Sequence, residues 1–294
     1  MKIKRTVPEV IFDYFNVIFM FIIIFVMLFP FWNIIANSFN EGRDSLKGGI
    51  YFWPRVWSID NYKAVFANTL LIGGYVITIS RTLIGTAAAV LFTGVVAFSL
   101  SHKDLVFRKY YMFIGVVTMF FGGGLIPYYM LIRNIGLYNS FWVYIIPSMF
   151  SFYNMVIMMT FFRQLPAEME ESAKIDGAGY LRIYLRIILP LSAPIIATMA
   201  LFNGVGHWND FFTAYLFIKN EDLLPVQTIL YKIIVENKAQ EMADRIPEAA
   251  LRRKITPAAV RDAALIVTTF PVMCVYPLLQ KYFAKGFLVG SVKG

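Results

Sequence analysis

Six stretches of this chain are long enough and apolar enough to cross a bilayer as helices: Ile11–Ile35, Leu70–Leu100, Tyr110–Ile132, Phe141–Phe162, Leu191–Ile218 and Ala263–Phe283. A crossing helix needs about 20 mostly apolar residues. The spans predict an all-α integral membrane protein, with residues 1–294 forming a single transmembrane domain. The composition agrees. Hydrophobic residues make up 59% and charged residues 15%, against about 45–50% and about 25% in soluble domains. One soluble core cannot hide that much apolar surface.

The net charge of +9 is carried by basic residues lying between the apolar runs. That placement fits the positive-inside bias and anionic headgroups rather than nucleic acid. No zinc-finger or RNA-binding signature is present. The single cysteine, Cys274, lies in an apolar run and reads as a small buried hydrophobe. Near the N-terminus, the run Ile11–Ile35 is too long for a signal-peptide core and reads as a retained first span.

Local punctuation sharpens the spans. Gly122-Gly123-Gly124 interrupts the third and is placed to kink or unwind it. Pro190 and Pro194 mark the start of the fifth. Thr256-Pro257 is an N-cap with proline at the first helical position, and it opens the last helix. The second span exceeds what a bilayer requires. It carries Gly85, Ala89, Thr93 and Ala97 at a stride of four, a face that lets another helix approach closely.

An even span count puts both termini on one side. Lysines and arginines divide evenly between the two sides, so orientation rests on Lys2, Lys4 and Arg5 ahead of the first span. The expectation is that both termini are cytoplasmic and that segments 40–68 and 219–262 are external. Within the latter, Leu224–Ile234 has an amphipathic pattern and reads as a helix lying on the outer surface.

Segment 163–189 then lies inside. Glu168, Glu170, Glu171 and Asp176 alternate there with Ala167, Met169, Ala173 and Ile175, giving one acidic and one small, apolar helix face. Gly177 can take the left-handed conformation that ends a helix sharply. A second short helix carrying Arg182 and Arg186 leads to Pro190. Two short helices at an angle form a knob suited to a groove on a partner.

The residues Glu171-Ser172-Ala173-Lys174-Ile175-Asp176-Gly177-Ala178-Gly179, with Ile187-Ile188-Leu189-Pro190 after them, resemble the EAA loop of ABC importer permeases. That pattern is Glu-Ala-Ala, three residues, Gly, nine residues, Ile-x-Leu-Pro, and only Ser172 departs from it. Asp176-Gly177-Ala178, Trp208-Asn209-Asp210 and the tail Lys285-Gly286…Val292-Lys293-Gly294 look like the carbohydrate-importer, MalG-like branch, especially permeases for polysaccharide fragments.

The resemblance implies a type I importer fold in the bacterial cytoplasmic membrane. It implies a second permease subunit, two ATPase subunits and an extracytoplasmic solute-binding protein. Glu171, Ala173, Asp176, Gly177, Ala178, Leu189 and Pro190 would form the coupling site, with Glu171 meeting a basic residue of the ATPase. The chain has no Gly-x-x-x-x-Gly-Lys-[Ser/Thr] loop. ATP and Mg would therefore be held by the partner, with no cofactor, metal or catalytic residue here. His102 and His207 read as ordinary polar residues.

Ionisable groups inside spans face a bundle interior or a water cavity. Arg81 reads as an internal salt-bridge residue or one near the headgroups rather than a substrate ligand. Asp210 belongs to a polar, glycine-containing stretch expected midway along span five, Asn203 to Phe211. Asn203, Trp208, Asn209 and Asp210, with Tyr153 and Asn154 of span four, are the candidate sugar path. Polar residues that merely hold helices together are the competing reading. Asn203 and Asp210 lie seven residues apart, about two helical turns, and so share a face. The rival function is a self-contained secondary transporter or channel, but no inverted repeat of that kind is evident.

Overall fold

The computed structural model describes residues 6–243 and 255–291, with side chains described over 6–235 and 255–274. Lys2, Lys4, Arg5 and the tail Val292-Lys293-Gly294 lie outside the described residues, as does part of segment 219–262. The main helices are α1 (Val7–Ser38), α2 (Asp60–Ala67), α3 (Thr69–Ser101), α4 (Arg108–Phe120), α5 (Leu125–Asn134), α6 (Phe152–Phe162), α7 (Ala167–Ile175), α8 (Ala193–Asn209), α9 (Phe212–Phe217), α10 (Val226–Ala243) and α11 (Pro257–Ser291). Among the described residues the only β pairing is one isolated bridge, Asn40 with Trp57.

Val7–Ser38, Thr69–Ser101 and Pro257–Cys274 are each long and apolar enough to cross a membrane unaided. Three more crossings arise as bent pairs: Arg108–Phe120 with Leu125–Asn134 at 117°, Phe141–Ser148 with Phe152–Phe162 at 48°, and Tyr180–Leu191 with Ala193–Asn209 at 88°. With each bent pair counted as one span, the described residues hold six by length and composition, half of them broken. The break in the third falls at the glycine triplet, where Gly124 has φ +83°.

The fifth span departs from the expected Leu191–Ile218. Helix α8 stops at Asn209, Asp210 leaves it with φ −72° and ψ 111°, and the chain resumes as α9. The polar stretch therefore sits at a helix end and a break, not midway along a continuous span. The competing pull is the Asp210 carboxylate, whose Oδ1 accepts from the backbone of Thr213 at 3.1 Å and starts the next turn.

The chain divides into two compact units, Met1–Asn68 with Lys232–Thr269, and Thr69–Tyr231 with Phe270–Gly294. In the first, α1 begins with a capping box of Thr6 and Glu9 and leaves most of its side chains exposed. The following loop is held by buried amides. Asn61 Nδ2 donates to the carbonyls of Ser38 and Asn40, and Asn40 Oδ1 accepts from the backbone of Val56. Arg55 pairs with Asp44 at 2.9 Å. Thr256 is buried and its hydroxyl accepts from the backbone of Ala259, opening α11 as the Thr-Pro pair predicts.

In the second unit α3 is the central helix, packed against α6 and α8. Its stripe Gly85, Ala89, Thr93 and Ala97 is buried, and a Cβ at Gly85 would collide with the His207 ring on α8. The core continues through Met155, Met158, Ile183, Tyr184 and Met199.

Two local expectations fail for one reason. Leu224, Pro225, Val226, Thr228, Ile229 and Leu230 are buried rather than lying on a surface. The Val226 backbone donates to Thr78 Oγ1, and Thr228 Oγ1 donates to the carbonyl of Phe211. Cys274, expected to be buried, is exposed. In a chain bathed by lipid, an apolar residue is equally well placed against protein or acyl chains, so hydropathy alone does not assign its neighbour.

Candidate functional site

Two sites emerge, and both lie in the Thr69–Tyr231 unit. The first is the knob. Helix α7 opens behind Pro166 with Glu168 and Glu170 in its first turn, where carboxylates oppose the helix dipole. It closes in a Schellman motif. Gly177 has φ +77°, its N–H donates to the Lys174 carbonyl at 3.0 Å, and that of Ala178 donates to the Ala173 carbonyl at 2.9 Å. Tyr180–Leu191 follows as one helical stretch with a π turn at Tyr184–Ile188.

The faces of α7 differ from the sequence expectation. Ala173 is buried in the core with Ala178 and Leu189 packed beside it. Ile175, expected on the small, partly apolar face, is 86% exposed, and Met169 is also exposed. Glu170, expected on the acidic outer face, points inward instead. The helix is only nine residues long and is fixed by its two ends, so its rotation is set by those attachments. Glu171, Asp176, Gly177 and Pro190 are exposed. The knob thus presents a carboxylate, a sharp bend and an unpartnered isoleucine together.

Glu170 Oε1 accepts from Lys174 Nζ at 2.8 Å and lies 2.6 Å from His102 Nε2, at the end of α3. Burial pushes the Glu170 carboxyl up, but hydrogen bonds and charge from Lys174 and His102 outweigh it and hold it below the usual glutamate range. His102 and Glu170 were not among the sequence candidates. Their pairing spans 68 positions, and nothing local marks it.

The second site is a polar cavity of about 310 Å³. It is lined by Asn203, Gly206, His207 and Asp210 from the end of the fifth span, by Tyr144 and Ser148 from the fourth, and by Tyr128 and Thr213. Behind it sits Arg81 of α3, whose side chain is 0% exposed. Arg81 Nη1 meets Asp210 Oδ2 at 3.3 Å, and Nη2 donates to the backbone carbonyls of His207 and Asp210. The guanidinium also lies 4.9 Å from the centroid of the Tyr144 ring. The helix end left open by the break at Asp210 is therefore capped by a cation from another span.

Asn203 and Asp210 line this cavity together. Asn203 Nδ2 donates to the Met199 carbonyl at 2.8 Å. Trp208 turns the other way, into a larger apolar cavity of about 600 Å³ lined by α3, α8 and by Pro271 and Val272 of α11. Its ring lies 6.4 Å from that of Tyr75. Asn209 is exposed and lines neither cavity, and Tyr153 and Asn154 near the start of α6 also lie outside both linings. His207, Ser148, Tyr144 and Tyr128 were missed because single polar or aromatic residues in apolar runs carry no periodic signal.

Comparison with known proteins places this architecture. The family model described as "binding-protein-dependent transport system inner membrane component" matches residues 2–289. The polygalacturonan/rhamnogalacturonan transport system permease YtcP of Bacillus subtilis is 36% identical over 279 residues, 94% of this chain and 97% of that protein. The arabinooligosaccharide transport permease AraQ of Halalkalibacterium halodurans is 26% identical over 92% of this chain and 93% of that protein. A chain in the crystal structure of a bacterial ABC transporter for the acidic polysaccharide alginate superposes with a TM-score of 0.88. Its identity is 29%, covering 95% of this chain and 99% of that one. With the EAA-type knob, the long apolar helices and this match along nearly its whole length, the chain belongs to the family of binding-protein-dependent transport system inner membrane components, the ABC importer permeases.

Proposed function

We propose that this permease forms one half of the translocation pathway of an ATP-driven oligosaccharide importer and takes its drive through the loop 163–189. The observation that carries the reading is the capped knob, with Glu171 exposed beside the left-handed bend at Gly177. A second permease would complete the pathway, two ATPase subunits holding ATP and Mg would dock on the paired knobs, and an extracytoplasmic binding protein would deliver the sugar. Closure of the ATPases would move the knobs and open the path outward, and hydrolysis would reset it.

In this reading both termini are cytoplasmic and segments 40–68 and 219–262 are external. Hydrogen bonds support the alternation within the central unit. Arg163 donates to the carbonyls of Leu100 and Ser101 at one end, and Asn139 Oδ1 accepts from the backbones of Lys219 and Asn220 at the other. Asn203 and Asp210 would touch the passing sugar, with Trp208 and Asn209 flanking and Tyr153 and Asn154 more remote.

A narrower substrate reading has its own support. One relative is named for polygalacturonan and rhamnogalacturonan, and the structural neighbour imports alginate. Acidic oligosaccharides of the pectin or alginate kind fit that company.

The test is Gly177→Val and Glu171→Ala. Both variants should insert normally, while uptake and substrate-stimulated ATP hydrolysis fall together by about tenfold, the loss expected for a coupling energy of about 1.4 kcal/mol. Normal uptake by both would refute the docking knob.

A further inference from the structure

We propose that His102 is a positioning residue for energy coupling. It ties α7, the helix that faces the ATPase, to the inner end of α3, so that movement of the knob reaches the Arg81–Asp210 junction along one unbroken helix. The proposal rests on the docking reading above and adds the route by which docking would act on the path.

The geometry of the imidazole carries the argument. Its Nδ1 lies 2.9 Å from the carbonyl oxygen of Phe98, and its Nε2 lies 2.6 Å from Glu170 Oε1. A carbonyl and a carboxylate both accept. Both ring nitrogens thus face an acceptor, one on α3 and one on α7. The ring therefore bridges the last turn of α3, through the Phe98 carbonyl, and the first turn of α7, through the Glu170 carboxylate. Ring contacts fix its plane. Phe98 meets the imidazole edge-on at a centroid distance of 4.8 Å and Tyr180 at 5.6 Å, and Lys174 Nζ sits 4.8 Å from the Tyr180 ring centroid.

The same end of α3 is held by two arginines as well. Arg108 Nε donates to the Leu100 carbonyl at 2.9 Å, and Arg163 Nη2 donates to it at 3.1 Å. These bonds secure the carbonyls that a helix C-terminus leaves open, but they come from residues outside α7. Glu170 is the carboxylate through which α7 itself reaches α3. Beyond the clamp, α3 runs 33 residues without a break. Arg81 lies 21 residues from His102, about 30 Å at ~1.5 Å per residue. An unbroken helix transmits displacement over that distance, whereas the third, fourth and fifth spans are bent by 117°, 48° and 88°.

The pairing also makes the test clean. Without His102, Glu170 keeps its bond to Lys174 within α7 and Ala173 keeps its place in the core beside Ala97, Phe98 and Leu100, so the knob stays folded and loses its polar tie to α3. The experiment uses the full complex in nanodiscs: this permease, its partner permease, the ATPases and the binding protein. Cys274→Ser removes the native thiol, and Thr213→Cys reports from the polar cavity. The probe is Mg-ATP with vanadate, and the readout is the change it causes in the thiol-modification rate at position 213.

His102→Leu should cut that ATP-dependent change by about fivefold or more while the ATPases stay bound and hydrolyse ATP. His102→Gln, whose amide can still donate to Glu170, should recover at least about half of it. If His102→Leu does not assemble, Glu170→Leu, which removes the acceptor, should give the same loss in the same assay. A wild-type change in His102→Leu or in Glu170→Leu, or no recovery with His102→Gln, overturns the clamp. Failure of the ATPases to co-purify with the wild-type permease refutes the docking reading instead, and the two failures are told apart by that step.

Discussion

Arg81, fully buried on the second span, reaches Asp210 at the residue where the fifth span stops, 3.3 Å from guanidinium to carboxylate and 129 positions apart in sequence. The ion pair is half of the contact. The other half is the pair of backbone carbonyls, His207 and Asp210, that the same guanidinium satisfies. In lipid an unpaired carbonyl has no water to turn to. The break that shapes the polar cavity therefore depends on a cation from a neighbouring helix.

This relationship makes the two partners unequal. Arg81→Leu strips both carbonyls and the carboxylate at once, and breaking a buried pair from one side costs about 3–5 kcal/mol. Asp210→Asn leaves the buried guanidinium without its counter-charge, but it keeps both carbonyl bonds and a side-chain oxygen for Thr213, so its loss should be the smaller of the two. Thermal midpoints of the purified complex should rank wild type, then Asp210→Asn, then Arg81→Leu. Equal losses would mean the carbonyl contacts carry no weight.

The two cavities predict a split between Asn203 and Trp208. Asn203→Ala removes a polar group from the cavity that also holds Asp210, and losing such a partner costs about 1–3 kcal/mol. Uptake should fall severalfold with assembly and basal ATP hydrolysis intact. Trp208→Phe keeps an aromatic face in the apolar cavity and should transport nearly as wild type. Failure of Asn203→Ala to assemble would favour a purely structural role, and normal uptake would remove Asn203 from the path.

Sidedness is testable with single cysteines on a Cys274→Ser background. Asn220 and Ser172 are both exposed. In intact cells an impermeant thiol reagent should label Asn220→Cys and spare Ser172→Cys. The reverse pattern would invert the whole orientation, and the knob could then not meet a cytoplasmic ATPase.

Glu170 sets a pH dependence for the attachment of α7. Its carboxyl is held low in the folded state by Lys174 and His102, against the opposing effect of burial. A group with a depressed folded pKa contributes fully above its unfolded value, about 4.3 for glutamate, and the contribution fades as pH falls through the folded value. Hydrogen exchange of segment 167–178, corrected for intrinsic rates, should stay slow at neutral pH and accelerate in strong acid. Glu170→Gln should show no such step. Coincident pH profiles would exclude the carboxylate as the cause.

The sequence by itself determined whatever is local. Span number follows from run length. The break in the third span follows from three glycines, the knob's end from Gly177, and the start of the last helix from Thr256-Pro257, because each depends on backbone freedom and caps within a few residues. The shared face of Asn203 and Asp210 also followed from helical spacing. Only the tertiary structure decided the partners: Arg81 with Asp210, His102 with Glu170, Trp208 against Tyr75, the buried course of Leu224–Leu230, the outward Ile175 and the exposed Cys274. In water, burial would rank these residues by polarity. In lipid an apolar side chain gains little by choosing protein over acyl chains, so contacts are settled by fit between helices and by the few polar groups that must find each other across the bundle.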